Sequence, residues 1–232
     1  FTKIYTQTML APVVTTLLFL AVFSLAIGSR AESLVGGVVF LEFLAPGLIM
    51  MAIAQNAFGN TSSSIVIAKI QGNIVDLLYA PLSATEVTIS IALAAVTRSV
   101  IIAIVSIIVF KLIIDIEITN YFLLIVFTLL SSFILGNIGI IAGLWAEKFD
   151  HMATVTNFVI VPLSFLSGTF YSIERLPDLL QIISKANPFF YMIDGFRYSF
   201  LGQSDGSILF GLIYLSILSL LISVSYTHLT LP

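Results

Sequence analysis

The spacing of charged residues is the feature that most limits how this chain can fold. Uncharged stretches of 26, 26, 29, 23 and 27 residues follow Lys3, Glu42, Glu117, Asp150 and Asp205. A helix needs about 20 consecutive apolar residues to cross the hydrocarbon core of a bilayer. Each of these stretches is therefore long enough for one membrane-spanning helix.

A sixth apolar stretch lies between Glu86 and Lys111 and is interrupted by a single charge at Arg98. The chain is 59% apolar and 9% charged, with a mean hydropathy of +1.14, whereas soluble domains carry roughly 25% charged residues. These values predict an all-α membrane protein with six transmembrane helices. The expected spans are Thr8–Gly28, Val39–Phe58, Val87–Phe110, Tyr121–Trp145, Ala153–Phe170 and Ile208–Val224.

An amphipathic stretch, residues 68–83, separates the second and third predicted spans. Its apolar residues fall opposite a polar stripe that recurs at helical spacing, formed by Lys69, Asn73 and Asp76. A helix over residues 68–80 would be about 20 Å long, too short for a hydrocarbon core of about 30 Å. The following Pro81 supplies a stop. The pattern predicts a helix lying flat on the membrane, either an interfacial anchor or a lever pushed by a soluble partner.

Arg98 is the most costly residue within the predicted spans. If the third span begins at Val87, Arg98 lies near the bilayer middle, where burial costs from about 2.5 to over 10 kcal/mol. It should then pair with a carboxylate or meet an anionic substrate. If the span begins nearer Ile91, the side chain can reach the interface, and replacement by Gln should leave transport untouched.

Other polar or helix-breaking residues of the spans are candidates for a substrate path. Glu42 lies close to the end of the second span, so it either reaches the interface or lines a path. Pro162 lies within the fifth span, shortly before Ser167 and Gly168, and predicts a kink or break. The full candidate set is Glu42, Gln55, Arg98, Pro162, Ser167 and Tyr171.

Two further patterns concern packing. Gly136, Gly139 and Gly143 fall on one face of the fourth span, which permits close approach of another helix. After the fifth span and a second amphipathic region, residues 187–202 are dense in Phe and Tyr. Such density favours an aromatic belt at the membrane–water boundary over a ligand-binding box.

Several classes of function are disfavoured by what the sequence lacks. It has no cysteine and no cluster of histidines, which disfavours disulfides and metal sites. The net charge is −3 with 9 basic residues, so there is no basic patch for nucleic acid. No G-x-x-x-x-G-K-[ST] or H-E-x-x-H motif and no plausible catalytic set is present, so we expect no enzyme and no nucleotide bound by this chain.

Five blocks occur in order and together resemble the ABC-2 type permease family: TQTMLAPVVTTLLFLAVF, FLAPGLIMMAIAQNAFGNTSSSIVIAKIQGNIVDLLYAPLSATE, AGLWAEKFD, NFVIVPLSFLSGTFYSIERLP and NPFFYMIDGFRYSFLG. The resemblance implies an ABC-2 type transmembrane domain over residues 1–225. It also implies the membrane subunit of a bacterial inner-membrane ABC exporter for amphipathic or lipid-linked substrates, including polysaccharides and drugs. Two permeases would pair as a homodimer with two copies of a separate ATPase, which would bind ATP and Mg.

The resemblance also assigns sites. Residues Lys69–Leu82 correspond to the cytoplasmic coupling helix, with candidate ATPase-coupling residues Lys69, Gln71, Asn73, Asp76, Leu77, Leu78, Pro81 and Leu82. Residues Tyr171–Phe200 correspond to an outward-facing re-entrant region, with candidates Glu174, Arg175, Asn187, Pro188, Phe189, Tyr191, Asp194 and Arg197. This fixes an orientation that the count of basic residues in the loops does not decide.

The alternative from the residues themselves is an ion-coupled secondary transporter. Pro46 and Pro162 lie in the second helix of each three-span half, which would suit an inverted repeat with broken helices. The shortage of ionisable residues in the spans argues against it. Because the sequence begins at Phe1 and ends in SYTHLTLP, we also expect a truncated N-terminus and a non-native tail over residues 226–232.

Overall fold

The computed structural model describes residues 10–27, 39–79, 81–114 and 116–229, without the side chains of residues 76–78, 84 and 224–229. Within these ranges every regular element is helical, which confirms the all-α prediction. The α-helices are α1 (Ala11–Ile27), α2 (Phe40–Ile70), α3 (Ile74–Tyr79), α4 (Ala84–Lys111), α5 (Tyr121–Trp145), α6 (Phe149–Val155), α7 (Val161–Leu166), α8 (Asp178–Ala186), α9 (Pro188–Leu201) and α10 (Ile208–Leu229). A π-helical turn, Thr156–Ile160, joins α6 to α7, and a 3₁₀ turn, Ile173–Arg175, precedes α8.

Within the described part of the chain, four helical stretches are long and apolar enough to cross a membrane: Phe40–Ile70, Thr85–Lys111, Tyr121–Trp145 and Phe149–Leu166. The first and last predicted spans correspond there to shorter apolar helices, Ala11–Ala26 and Ile208–Ser223. These shorter helices direct large apolar side chains outward, including Leu18, Val22, Ile213 and Ile217. Such outward apolar faces suit contact with lipid.

The central helix is α2, which packs against α1, α4, α5 and α9. Of the 18 consecutive residues of α2 that are most apolar, 78% are buried, against 33% of the corresponding 18 residues of α4. The predicted end of this span at Phe58 was wrong, because the helix continues to Ile70. The polar run after Phe58 does not end it, since the hydroxyls of Thr61, Ser62 and Ser64 donate to carbonyl oxygens one turn earlier.

The fifth predicted span is a helix that changes its winding rather than breaking at proline. In the π-helical turn the N–H of Val161 donates to the carbonyl oxygen of Thr156, five residues earlier. Pro162 follows directly after this turn, as the second residue of α7, and has no N–H to donate to the preceding turn. The helix ends at Leu166, before the predicted Phe170, and Gly168 follows with a φ of 76°.

The glycine face of α5 is closely approached by other helices, as predicted, and the closest approach is that of α2. A Cβ added to Gly139 would lie 2.5 Å from the carbonyl oxygen of Phe58 and would also clash with Oγ1 of Thr61. A Cβ on Gly143 would lie 2.9 Å from the carbonyl oxygen of Ser62. The two helix backbones are therefore closer than any other residue would allow, as is common in membrane bundles.

We predict that Gly139→Ala destabilises the folded protein by about 1–3 kcal/mol or more, because the added methyl group forces α5 away from the α2 backbone. The matched control is Gly59→Ala on α2, where an added Cβ meets nothing within 4 Å. That change should be neutral or stabilise by up to about 1 kcal/mol. Thermal unfolding in detergent measures both, and equal midpoints would contradict the close packing.

Candidate functional site

The predicted coupling stretch is divided by a turn. Residues 68–70 finish α2, residues 71–73 form the turn, and α3 is only 6 residues long. Gly72 adopts a φ of 76°, a left-handed conformation that other residues disfavour, so the helix does not continue through it. A continuous flat helix from Ala68 was therefore a wrong prediction. Beyond the turn, α3 is a short helix of about 9 Å in which Val75 and Tyr79 are exposed.

Lys69 links this stretch to the end of α5. Its Nζ donates to the carbonyl oxygens of Leu144 and Ala146, the latter at 3.1 Å. A cation at a helix C-terminus is stabilised because the last carbonyl groups carry partial negative charge. The contact brings the α2–α3 turn and the α5–α6 connection to one end of the molecule.

The other predicted coupling residues lie mostly on the surface. Gln71, Asn73, Pro81 and Leu82 are exposed, and the amide of Asn73 donates to Oε1 of Gln71 at 3.1 Å. The backbone of residues 76–78 lies in α3, while the side chains of Asp76, Leu77 and Leu78 are outside the described residues. The described side chains of the turn and of Val75 and Tyr79 in α3 are therefore exposed at this end of the molecule.

A cavity of about 350 Å³ lies between α1, α2 and the π-helical turn. Gln55 lines it, and its place in a substrate path stays a prediction. Its other polar lining comes from residues that the sequence did not single out for this role, Thr15, Thr16, Asn56 and Thr156. Apolar side chains such as Phe19 and Met51 complete the wall.

Arg98 lies at a second cavity, of about 250 Å³, between α2 and α4. Its Nη1 donates to Oδ1 of Asn60 at 3.0 Å, and the amide of Asn60 donates in turn to Oδ1 of Asn56. Because Asn56 lines the first cavity, this hydrogen-bonded chain crosses α2 from one cavity to the other. The polar signal was visible in the sequence, but the pairing of Arg98 with Asn60 was not.

The remaining path candidates are not brought to these two cavities. Glu42 lies in the first turn of α2, and Pro162 is exposed in α7. The hydroxyl of Ser167 donates to the carbonyl oxygen of Leu163 at 2.5 Å. The hydroxyl of Tyr171 donates to the carbonyl oxygen of Phe165 at 3.2 Å. Their place in a path stays a prediction.

The predicted re-entrant region is organised around the buried guanidinium of Arg197. It donates to the carbonyl oxygen of Gly168 at 2.6 Å, to that of Thr169 at 3.4 Å and to that of Phe43 at 3.3 Å. Its Cζ also lies 3.7 Å from the ring centroid of Phe43, a cation–π contact. Burial lowers the pKa of Arg197 to about 10, so the group remains charged near neutral pH. Arg197 thus ties α9 to the start of α2 and to the turn after α7.

Two carboxylates fix the neighbouring loop. Asp194 accepts the N–H groups of Asp205 at 2.9 Å and Gly206 at 3.0 Å, and Asp205 accepts the N–H of Ile173 at 2.9 Å. Burial raises the pKa of Asp194 to about 6, although the N–H of Asp205 and the charge of Arg197 act in the opposite direction. Asp205 was not identified from the sequence, because a loop aspartate before glycine reads as a turn residue.

The aromatic residues of α9 are core residues, so the predicted aromatic belt was wrong. Phe189, Tyr191 and most of their aromatic neighbours are buried, and α9 packs against α2, α5 and α10. The side chain of Asn187 caps α9 by accepting the N–H of Phe189, with Pro188 as the first helical residue. The exposed candidates of this region are Glu174 and Arg175 in the 3₁₀ turn.

A buried central helix that carries polar residues, surrounded by apolar helices long enough to cross a membrane, defines a polytopic membrane protein. The chain belongs to the ABC-2 type transporter family, whose model matches residues 1–201. It is 35% identical over 205 residues to the inner membrane transport permease YadH of Escherichia coli strain K12, which covers 88% of this chain and 80% of that permease. The YadH permeases of Escherichia coli O157:H7 and Shigella flexneri match equally.

The predicted ABC-2 resemblance is therefore confirmed. Membership makes the chain the membrane-spanning transport component of an ABC system, which works with an ABC ATPase. The family match covers the predicted domain up to residue 201, and its extension to residue 225 stays a prediction. The prediction of a non-native tail also stays open, and residues 230–232 lie outside those described, as do Lys3 and Arg30 of the orientation count.

We predict that Arg197→Met destabilises the protein by about 3–5 kcal/mol, since three carbonyl oxygens lose a charged donor in a buried site. Arg175→Gln, which changes an exposed arginine of the neighbouring turn, should shift the unfolding midpoint little. Thermal unfolding of both variants in detergent checks this. An Arg197→Met variant as stable as Arg175→Gln would contradict the assigned role.

Proposed function

We propose that this chain is the permease subunit of an ATP-driven exporter that moves an amphipathic or lipid-linked molecule, such as a polysaccharide on its carrier or a drug-like compound, out of the bacterial cytoplasm. It is a multi-pass protein of the inner membrane, in agreement with its apolar helices and its relatives. The observation that carries the proposal is the junction of α2, α3 and α5, where Lys69 at the end of α2 ties that helix to the end of α5 and the short α3 follows with Val75 and Tyr79 exposed.

The six proposed spans are α1, α2, α4, α5, the helix from Phe149 to Leu166, and α10, with α8 and α9 as the re-entrant region between the last two. The α2–α3 turn and the α5–α6 connection face the cytoplasm, and the loops around Arg197 face outward. Two copies of a separate ATPase bind ATP and Mg and push on α3. This chain itself binds neither, and its contribution is mechanical.

The cavity beside Gln55 is the proposed part of the substrate path. Its mixture of hydroxyl, amide and apolar lining suits a molecule with a polar head and an apolar body. The substrate's identity is a matter for transport assays, and the direction follows from ATP-dependent accumulation in inverted vesicles. Uptake without ATP, driven by an ion gradient, would instead support a secondary transporter. The broken helix expected of that alternative has no support at Pro46, where α2 is continuous.

A second copy of the permease is the proposed partner within the membrane. Only 17% of the residues in the helix from Phe149 to Leu166 are buried, and the side chain of Phe158 is 79% exposed. Val14 and Leu18 of the nearby α1 are also exposed, and both helices border the cavity beside Gln55. A homodimer formed across these helices would cover their exposed side chains and enclose the cavity.

We predict that Asp76→Lys, a charge reversal in α3, lowers permease-dependent ATP hydrolysis at least about tenfold. The new positive charge would repel a basic group of the ATPase that faces the native carboxylate, and such repulsion at a docking surface opposes binding. Reconstituting the permease with its ATPase and measuring hydrolysis tests this. The matched control, Asp178→Lys, reverses an exposed charge in α8 on the proposed outer side and should keep hydrolysis unchanged. A permease that transports without any ATPase would refute the proposal.

We predict that Phe158→Cys forms an intermolecular disulfide under mild oxidation in membranes. The native chain has no cysteine, so the introduced thiol is the one reactive site. Leu220→Cys is the control, since the side chain of Leu220 on α10 is also exposed, at 65%, but lies outside the proposed dimer contact. It should form no intermolecular disulfide. Gel electrophoresis without reductant separates the two forms. Equal crosslinking of both variants would indicate random collision rather than a defined dimer.

A further inference from the structure

The cavity between α2 and α4 combines a positive charge with polar walls. Arg98 and Asn60 supply N–H donors, and Thr61, Ser64 and Ser90 supply hydroxyl groups. The hydroxyls of Ser64 and Ser90 donate to carbonyl oxygens of their own helices, and a hydroxyl hydrogen can rotate toward a ligand that accepts more strongly. At about 250 Å³ the cavity has room for several water-sized groups.

The side chain of Arg98 is directed toward one end of its helix. Side chains in a helix point toward its N-terminus, which for α4 is the end joined to α3. The other α4 residues that line the cavity agree, since Ala94 and Ser90 lie one and two turns toward that end. Arg98 is near the middle of α4, but its guanidinium faces a cavity that extends toward the α3 end.

The cavity opens sideways rather than into the bundle. Ser64, Ser90 and Ala94 are exposed at its mouth. Large apolar side chains beside these residues are also exposed, with Ile67 at 40%, Ile89 at 52% and Leu93 at 54%. A ligand seated here would meet donors at its head and an apolar surface along its tail.

We propose that this cavity binds the phosphate group of an anionic phospholipid from the leaflet at the α3 end, with Arg98 as its charged partner. Basic cavities between membrane helices bind such head groups on the cytoplasmic side of a bilayer, which is the side that the proposed function gives to the α3 end. The guanidinium offers paired donors to phosphate oxygens, and the acyl chains lie along the apolar side chains at the mouth. The site is separate from the cavity beside Gln55, and the chain through Asn60 and Asn56 connects a bound head group to it. Lipid binding at this site does not depend on the proposed export function.

The test is lipid binding to the purified full-length chain in a neutral detergent. Short-chain phosphatidylglycerol is titrated against phosphatidylcholine, and bound lipid is counted by native mass spectrometry. The native protein should prefer phosphatidylglycerol. Arg98→Gln should weaken its binding at least about tenfold, as expected for losing a charged hydrogen-bond donor, and Arg98→Lys should retain part of it. Lys111→Gln, at the other end of α4, should change nothing.

A second pair of variants keeps the test decisive if Arg98→Gln does not fold. Ala94→Leu fills the cavity without removing charge and should abolish the preference, whereas Thr97→Leu adds bulk to an exposed position outside the cavity lining and should preserve it. Equal binding of both lipids, or a preference that survives Ala94→Leu, would overturn the proposal. Displacement of the lipid by inorganic phosphate at similar concentration would also overturn it, since the site would then recognise a free anion.

Discussion

The structure depends on the close approach of α2 and α5. Gly139 and Gly143 remove the side chains that would hold the two backbones apart, and the carbonyl oxygens of Phe58 and Ser62 occupy that space. Helices surrounded by lipid gain little from burying apolar area against each other, so the contacts made at such short range have to hold them together. The hydroxyl-rich half of α2 can lie inside the bundle because its own backbone carbonyls accept those hydroxyl hydrogens.

Three cations attach α2 to its surroundings at three levels. Lys69 at its end donates to the last carbonyl groups of α5. Arg98 donates to Asn60 in the second half of α2, and Arg197 donates to the carbonyl oxygen of Phe43 at its start. The stretch from Phe43 to Lys69 is continuous helix and spans about 39 Å. The surface proposed to receive the ATPase and the region proposed to face outward are therefore joined by one rigid element.

The sequence predicted best where apolar residues alone decide the structure. The predicted Tyr121–Trp145 helix is found with the same bounds, and its glycine face meets another helix as expected. Polar residues misled the prediction because their partners are set by tertiary structure: those after Phe58 bond to their own helix, and Asn60 meets Arg98 from 38 residues away. Gly72 divides the coupling stretch because its backbone adopts a left-handed conformation. The spacing of polar and apolar residues carries no information about that conformation. The candidate site was thus predictable by region, and its hydrogen-bonded pairs were not.

These constraints also determine where a conformational change costs least. α2 is held at both ends by charged donors and along its length by α5, so bending it would break several contacts at once. In the helix from Phe149 to Leu166, by contrast, only 17% of the residues are buried. This helix also contains a π-helical turn beside the cavity that Gln55 lines. In a π-helical turn the backbone hydrogen bonds join residues five apart instead of four, so the regular pattern is already interrupted there. Moving the residues around this turn therefore breaks fewer backbone hydrogen bonds than bending a regular helix. In the proposed exporter, a push on α3 is carried by α2 as a unit, and the cavity opens or closes by displacement of this less buried helix against it.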